Sequence, residues 1–215
     1  MPDLVAANVS ANTVSVFLGT GGGNFAAKTD YPTGMGARSV AIGDVNGDGI
    51  PDVVVANSVS NTVSVLLGSG TGTLASKIDF ATGAGPRAVV IADVDLDGAP
   101  DLITANFGDN TISVVMGTGD GNFAPKVDFS TGAGPFSLAV GDVNGDGKPD
   151  IVVGDVNADS VVVFMNSAPT TRISFVTGFY STVLERTPEP AGRTVWLNFL
   201  GANCNAQGFS GIAQR

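Results

Sequence analysis

Histidine is absent from the 215 residues, cysteine and tryptophan occur once each, and Lys and Arg together number 10 against 20 Asp and Glu. Each shortage removes a class of function. Without histidine, the chain by itself can hold neither a Ser-His or Cys-His nucleophile pair nor a His-containing zinc site. The single Cys204 cannot form an internal disulfide and reads as a small tail residue. A net charge of −10, with the few basic residues scattered, argues against a nucleic-acid partner, because phosphate binding needs clustered Lys and Arg. No apolar run approaches the roughly 18 residues that span a bilayer, so no membrane span is expected. The N-terminus also lacks the charged-then-apolar order of a signal peptide.

What is present points one way. Hydrophobic residues make up 43% of the chain, enough for a packed core, while aromatics are only 7% and glycines number 30. Glycine at about twice average usage suits many short strands joined by tight turns, so the expected class is all-β.

The dominant feature is internal repetition. DVNGDGIPD from Asp44, DVDLDGAPD from Asp93 and DVNGDGKPD from Asp142 are spaced by 49 residues with no drift. After each acidic loop comes an apolar run (VVVAN, LITAN, IVVGD), then NTVSVLLG or NTISVVMG, then a Gly-rich turn. A segment ending KIDF or KVDF follows, and GPRAVVIAD or GPFSLAVGD leads into the next loop. That is four short strands per unit, the size of one β-propeller blade. The run after the loop is apolar on both faces, as a strand packed between neighbouring blades must be. In the fourth strand Lys77 and Asp79 share one face, and Lys126 and Asp128 repeat them, which suits an exposed outer edge.

In this register Asp3 is the last residue of a further loop, so the chain reads as a fragment. Counting strands predicts three before the first full loop, two units of four, and three after the last loop, about three and a half blades. Such a segment would leave blade faces open, so missing blades or a second copy are expected to close the ring, with a signal peptide upstream. Domain boundaries are placed at 1–167 for the propeller segment and 168–215 for a partial helical domain. The helical expectation rests on Val176, Phe179, Tyr180, Val183 and Leu184, then a turn at Pro188 and a second apolar run from Trp196 to Leu200. RISFVTG from Arg172 also resembles the fourth-strand segment KVDFSTG, but no GPxS follows, which favours the helix.

The acidic loops carry the chemistry. An EF-hand needs a bidentate Glu at position 12 and flanking helices; here position 12 is Val55, Thr104 or Val153, and Pro51, Pro100 and Pro149 lead into strands. What remains is a nine-residue loop with side-chain oxygens at positions 1, 3, 5 and 9 and a backbone carbonyl at position 7. The expected ligands are Asp44, Asn46, Asp48, Ile50 and Asp52 in the first loop. The second offers Asp93, Asp95, Asp97, Ala99 and Asp101, and the third Asp142, Asn144, Asp146, Lys148 and Asp150. Gly49, Gly98 and Gly147 supply the turn at position 6. Oxygen-only ligands in this number suit Ca2+, at about three sites, rather than magnesium or zinc. Three divalent ions would take the formal charge from −10 to −4.

No catalytic residues are assigned and no enzyme is expected. GTGGGNF from Gly19 and GTGDGNF from Gly117 precede no helix and no P-loop lysine, so they read as hairpin turns. Eleven of the 18 aspartates, Asp3 included, already occupy loop positions, leaving few for a glycosidase pair. Loops opposite the acidic ones are where recognition would sit, with Asn57, Phe107, Asp109, Arg38 and Arg87 as candidates.

The loops and their period resemble the FG-GAP or VCBS repeat of integrin α-subunit propellers and of secreted bacterial proteins. The resemblance covers residues 1 to about 167 and implies a propeller, usually seven-bladed, with structural calcium between the first and second strands. The tail pattern of Tyr180, Leu184, Arg186, Pro188, Gly192 and Trp196 is similar to a helical domain of unknown function appended to secreted bacterial repeat proteins. The expected function is that of a non-enzymatic, calcium-binding, secreted or cell-surface bacterial protein for adhesion or recognition of protein or glycan. The alternative is an accessory propeller module of a larger secreted hydrolase.

Overall fold

A computed structural model describes residues 1–166 and the strand Phe175–Gly178. Every described element is a β-strand. The first sheet holds β1 (Leu4–Asn8), β2 (Thr13–Phe17) and β5 (Thr29–Pro32), with a small separate hairpin of β3 (Gly19–Gly21) and β4 (Asn24–Phe25). Three four-stranded sheets follow: β6 (Ala37–Gly43), β7 (Asp52–Asn57), β8 (Thr62–Leu66) and β9 (Ile78–Ala81); then β10 (Pro86–Ala92), β11 (Asp101–Asn106), β12 (Thr111–Val115) and β13 (Val127–Ser130). The last comprises β14 (Pro135–Gly141), β15 (Asp150–Asp155), β16 (Ser160–Asn166) and β17. Each is an antiparallel meander, and the sheets pack face to face in chain order with β6, β10 and β14 side by side, as consecutive propeller blades do.

The packing accounts for the uninterrupted apolar runs. Val53 and Val55 of β7 pack with Val14 of the first sheet, while Val54 and Ala56 pack with Val89, Leu102 and Val115 of the third. One blade on, Leu102 turns back toward the second sheet and Ile103 toward Ile151 and Phe164 of the fourth. Alternate side chains therefore enter different cores, and neither face of the strand can be polar.

Two expectations are corrected. Four blade strands, β1, β2, β5 and β6, precede the first loop beside the β3–β4 hairpin, not three; the shortest of the four, Thr29–Pro32, is held by pairing with β2 and carries no clear apolar pattern. Val176 does not begin a helix. It lies in β17, opposite Met165 of β16, so the fourth blade is complete. The open edge of β16 presents backbone donors and acceptors that a strand satisfies and a helix cannot. The rest of the expected helical domain lies outside the described residues. No helix among the described residues is long and apolar enough to cross a membrane.

A buried polar ladder also crosses the sheets. Asn57 donates through Nδ2 to Thr62 Oγ1 and Ser64 Oγ (3.0 and 2.8 Å), Ser64 donates to Asp79 (2.6 Å), and Asp79 pairs with Lys77. Asn106, Ser113, Asp128 and Lys126 repeat it. The Gly34 and Gly83 N–H groups of the preceding blade donate to Ser64 and Ser113 (3.1 and 2.9 Å), which ties blade to blade. The fourth blade departs from the pattern: Val162 replaces the serine, and Asp155, replacing the asparagine, accepts the Gly132 N–H at 2.9 Å.

Burial pushes the Asp155 carboxyl up to about 6, against the opposing pull of the Gly132 N–H and Thr131. A folded-state pKa above the unfolded value means that the group's contribution to stability is intact below about pH 4 and is lost as pH rises through about 6. Asp155→Asn restores the residue of the other blades, able to donate to Ser160, and should raise the melting temperature at pH 7 by about 2–4 °C, for about 1 kcal/mol. At pH 4 the two proteins should melt together. Thermal melts at the two pH values check this; a variant that melts lower at pH 7 would refute it.

Candidate metal centres

Each acidic loop joins an inner strand to the buried strand beside it: β6 to β7, β10 to β11, β14 to β15. Local hydrogen bonds shape all three alike. The position-1 carboxylate gathers the loop's own N–H groups: Asp44 accepts from Gly47 and Gly49 (2.8 and 2.7 Å). Asp93 accepts from Asp97 and Gly98 (3.1 and 2.9 Å), and Asp142 from Gly145 and Gly147 (2.7 and 2.8 Å). The position-5 carboxylates Asp48, Asp97 and Asp146 accept from the N–H of Ile50, Ala99 and Lys148. Gly49, Gly98 and Gly147 have φ of 79°, 91° and 82°, a left-handed conformation that makes glycine the residue of choice. Ile50, at position 7, offers the loop only its backbone, since its side chain lies against Gly70.

Position 9 is the structural surprise. Asp52, Asp101 and Asp150 are fully buried, and both oxygens of each are engaged. Asp52 accepts from Val45 N–H within its loop and from Gly68 N–H at the start of the Gly-rich turn (2.9 and 2.7 Å). Asp101 does so with Val94 and Gly117 (2.8 Å each), and Asp150 with Val143 and Asn166 (3.0 and 2.7 Å). Asp3 accepts from Gly19 at 2.7 Å, the same bond without the preceding loop. A Cβ on Gly19, Gly68 or Gly117 would sit 2.1–2.2 Å from the carbonyl oxygen of Pro2, Pro51 or Pro100, so glycine is required at these three positions, whereas the fourth blade places Asn166 beside its carboxylate. The step from the aspartate to its donor is sixteen residues in all four copies, ending on Gly19, Gly68, Gly117 and Asn166.

The second loop is the most concentrated. Ligand oxygens of Asp93, Asp95 and Asp101 lie within 4.8 Å of one another. Two ligands of one calcium ion, each about 2.3–2.6 Å from it, cannot be more than about 5 Å apart, so these three fit a single ion. Burial raises Asp95, with Asp97 and Asp93 adding repulsion. Burial likewise pushes Asp101 up to about 6, against its two N–H donors, and Asp95 and Asp93 push it in the same direction. Asp97 faces the Ala99 N–H instead. In the other loops an amide stands at position 3, and Asn46 and Asn144 donate to Asp48 and Asp146 (3.0 and 3.2 Å). Their carboxylates do not draw together as those of the second loop do.

The opposite end of the blades carries the other candidates. Asn57 is corrected: it is buried in the polar ladder and packed under Gly34, so it presents nothing for recognition. Asp109 accepts the Ala84 N–H and so braces a connection. Arg38 is exposed, and Arg87 is half-buried with its guanidinium carbon 4.4 Å from the ring centre of Phe107.

Comparison with known proteins adds a family and a fold. A family described as FG-GAP-like repeat matches residues 1–55, 44–104 and 93–153. No curated protein matches the chain. Among solved structures, a functionally unknown protein from Desulfotomaculum acetoxidans is similar at 18% identity and a TM-score of 0.55, over 80% of this chain and 54% of that one. A lectin from Agrocybe aegerita that recognises non-reducing terminal N-acetylglucosamine is similar at 21% identity and a TM-score of 0.52, over 81% of this chain and 50% of its own. The chain thus spans about half the length of each, and at these identities the likeness is one of fold.

Proposed function

The chain belongs to the FG-GAP-like repeat family, and from that premise we propose that it is a calcium-stabilised, non-enzymatic recognition module working outside the cell or at its surface. The observation that carries the reading is the gathering of Asp93, Asp95 and Asp101 oxygens within 4.8 Å, in one of three loops repeated in register. Asp44, Asn46, Asp48 and Asp52 would hold an ion in the first loop, and Asp142, Asn144, Asp146 and Asp150 in the third. The ion would supply positive charge to crowded carboxylates and cross-link the strand connection, a structural role. Weak sites of this kind fill at the millimolar calcium found outside cells, which supports an extracellular setting.

Recognition is assigned to the end opposite the acidic loops. There the connections between strands are pinned to rigid sheets, as by the bonds from Gly36 to Asn12 and from Gly85 to Asn61. Exposed Met35, Val59, Phe136 and Val156 give that end apolar surface. The lectin among the structural relatives makes a glycan the first ligand class to test. A glycan array probed with labelled protein in millimolar calcium should give a limited set of bound sugars, while a protein-partner screen alone succeeding would move the ligand to the protein class. Binding to neither would overturn the recognition reading.

A further inference from the structure

The inner strands are interrupted by β-bulges at one equivalent position. The pairing of β6 with β7 skips Arg38, that of β10 with β11 skips Arg87, and that of β14 with β15 skips Phe136. A bulged residue leaves the in-out alternation of its strand, and its side chain can be aimed where a regular strand would not place it. Three consecutive blades thus present Arg, Arg and Phe at the same height, beside one another, at the end away from the acidic loops.

Arg87 is held in place, and neither arginine is neutralised. Arg87 lies 4.4 Å from the ring centre of Phe107 and 5.7 Å from that of Phe136, and the two rings meet edge to face at 6.5 Å. This cation–π seat orients the guanidinium fork without consuming its hydrogen-bond donors. Burial and the nearby positive charge of Arg38 both lower the Arg87 pKa. Among the described residues neither arginine forms an ion pair; all three pairs are of lysine with aspartate on outer strands. In a chain of net charge −10, two neighbouring guanidiniums without a carboxylate partner form a site that an anion would relieve. Phe136, 43% exposed, sets an apolar surface beside them.

We propose that Arg38 and Arg87, presented on consecutive bulges beside the open ring of Phe136, form a receptor for the carboxylate of an acidic sugar. A uronic acid joins one carboxylate to an apolar ring face, matching a guanidinium fork next to an aromatic ring. An acidic polypeptide would call for a longer basic track, and the ten basic residues of this chain offer none. The proposal rests on the recognition reading above and names its ligand class.

Titration calorimetry of the whole chain in millimolar calcium, with trigalacturonate, trigalactose and hexaglutamate as probes, tests it. Trigalacturonate should bind at least about tenfold more tightly than either of the others, and Arg38→Ala and Arg87→Ala should each weaken it about tenfold. Arg87→Lys keeps the charge but not the fork and should recover only part of the loss. Arg38 is exposed, so its variant should melt as the parent does, which separates lost binding from lost folding. Absence of trigalacturonate binding, equal binding of trigalactose, or indifference to both arginine variants would overturn the site. Tighter binding of hexaglutamate would hand it to a protein ligand. An array that bound only neutral sugars would leave the recognition reading standing while this site fell.

Discussion

Stripping calcium with a chelator should lower the melting temperature of this protein at pH 7 by about 5–10 °C relative to a solution holding calcium at a hundredfold excess over the dissociation constant. A single site filled to that extent stabilises the folded state by about 2.7 kcal/mol, and a domain of this size shifts by about 2–4 °C per kcal/mol. The second loop should dominate, because Asp93, Asp95 and Asp101 repel one another within 4.8 Å without a counter-ion. The pH dependence has a definite sign. Without metal, burial holds Asp101 at about 6, above its unfolded value, so the part of stability linked to it is intact below about pH 4 and lost as pH rises through about 6. Calcium requires the ionised form, so its stabilising effect should grow over the same interval, and the gap between chelated and calcium-loaded melts should be larger at pH 7 than at pH 5. Coincident melts with and without chelator at pH 7 would refute metal binding at all three loops.

Asp101→Ala should destabilise the protein by about 2–4 kcal/mol even in chelator, a fall of about 5–15 °C. The side chain is fully buried and accepts two N–H groups, from Val94 and Gly117, that have no water to turn to once it is gone. Part of the loss is offset because a buried carboxylate is itself costly, which is why the figure is not larger. Asp101→Asn keeps one acceptor oxygen and points an amide at the second donor, so about half the loss is expected in chelator. Both variants should lose most of the calcium response of the second loop. Asp97→Ala supplies the contrast: its carboxylate meets the Ala99 N–H at the exposed rim of the loop, so it should weaken the calcium response while costing less than about 1 kcal/mol in chelator. Calcium-dependent melts of the three variants decide whether position 9 is a structural tie, a metal ligand or both. An Asp101→Ala protein as stable as the parent in chelator would remove the structural tie.

The legible part of the fold was whatever the repeat states many times over. Three loops at a 49-residue spacing, each followed by four short patterned segments, identify blades because every copy must satisfy the same pairing and burial. Asp3 could be placed as the last residue of a further loop from register alone, and the structure adds its bond from the Gly19 N–H. Asn57 shows why the reading stopped short. As a letter it is a polar residue before a turn, indistinguishable from a surface residue. Its burial follows only from Ser64 and Thr62 arriving on the next strand and Gly34 arriving from the neighbouring blade. The strand at Val176 was missed for a similar reason: five apolar residues at helical spacing are a local signal, and the unpaired edge of β16 that overrides it belongs to a different part of the chain.

The sequence by itself determined the all-β class, the blade period and the oxygen-rich composition of the loops, since each depends on residue type and spacing along the chain. Only the tertiary structure decided that the ninth loop residue is a buried tie to the next turn, that Asp155 is buried with its carboxyl pushed up, and that Arg38, Arg87 and Phe136 stand together on successive bulges. The physical reason is distance. Hydrogen bonds, burial and charge repulsion act over a few ångströms, and in a stack of sheets the groups that come so close are often tens of residues apart in the chain.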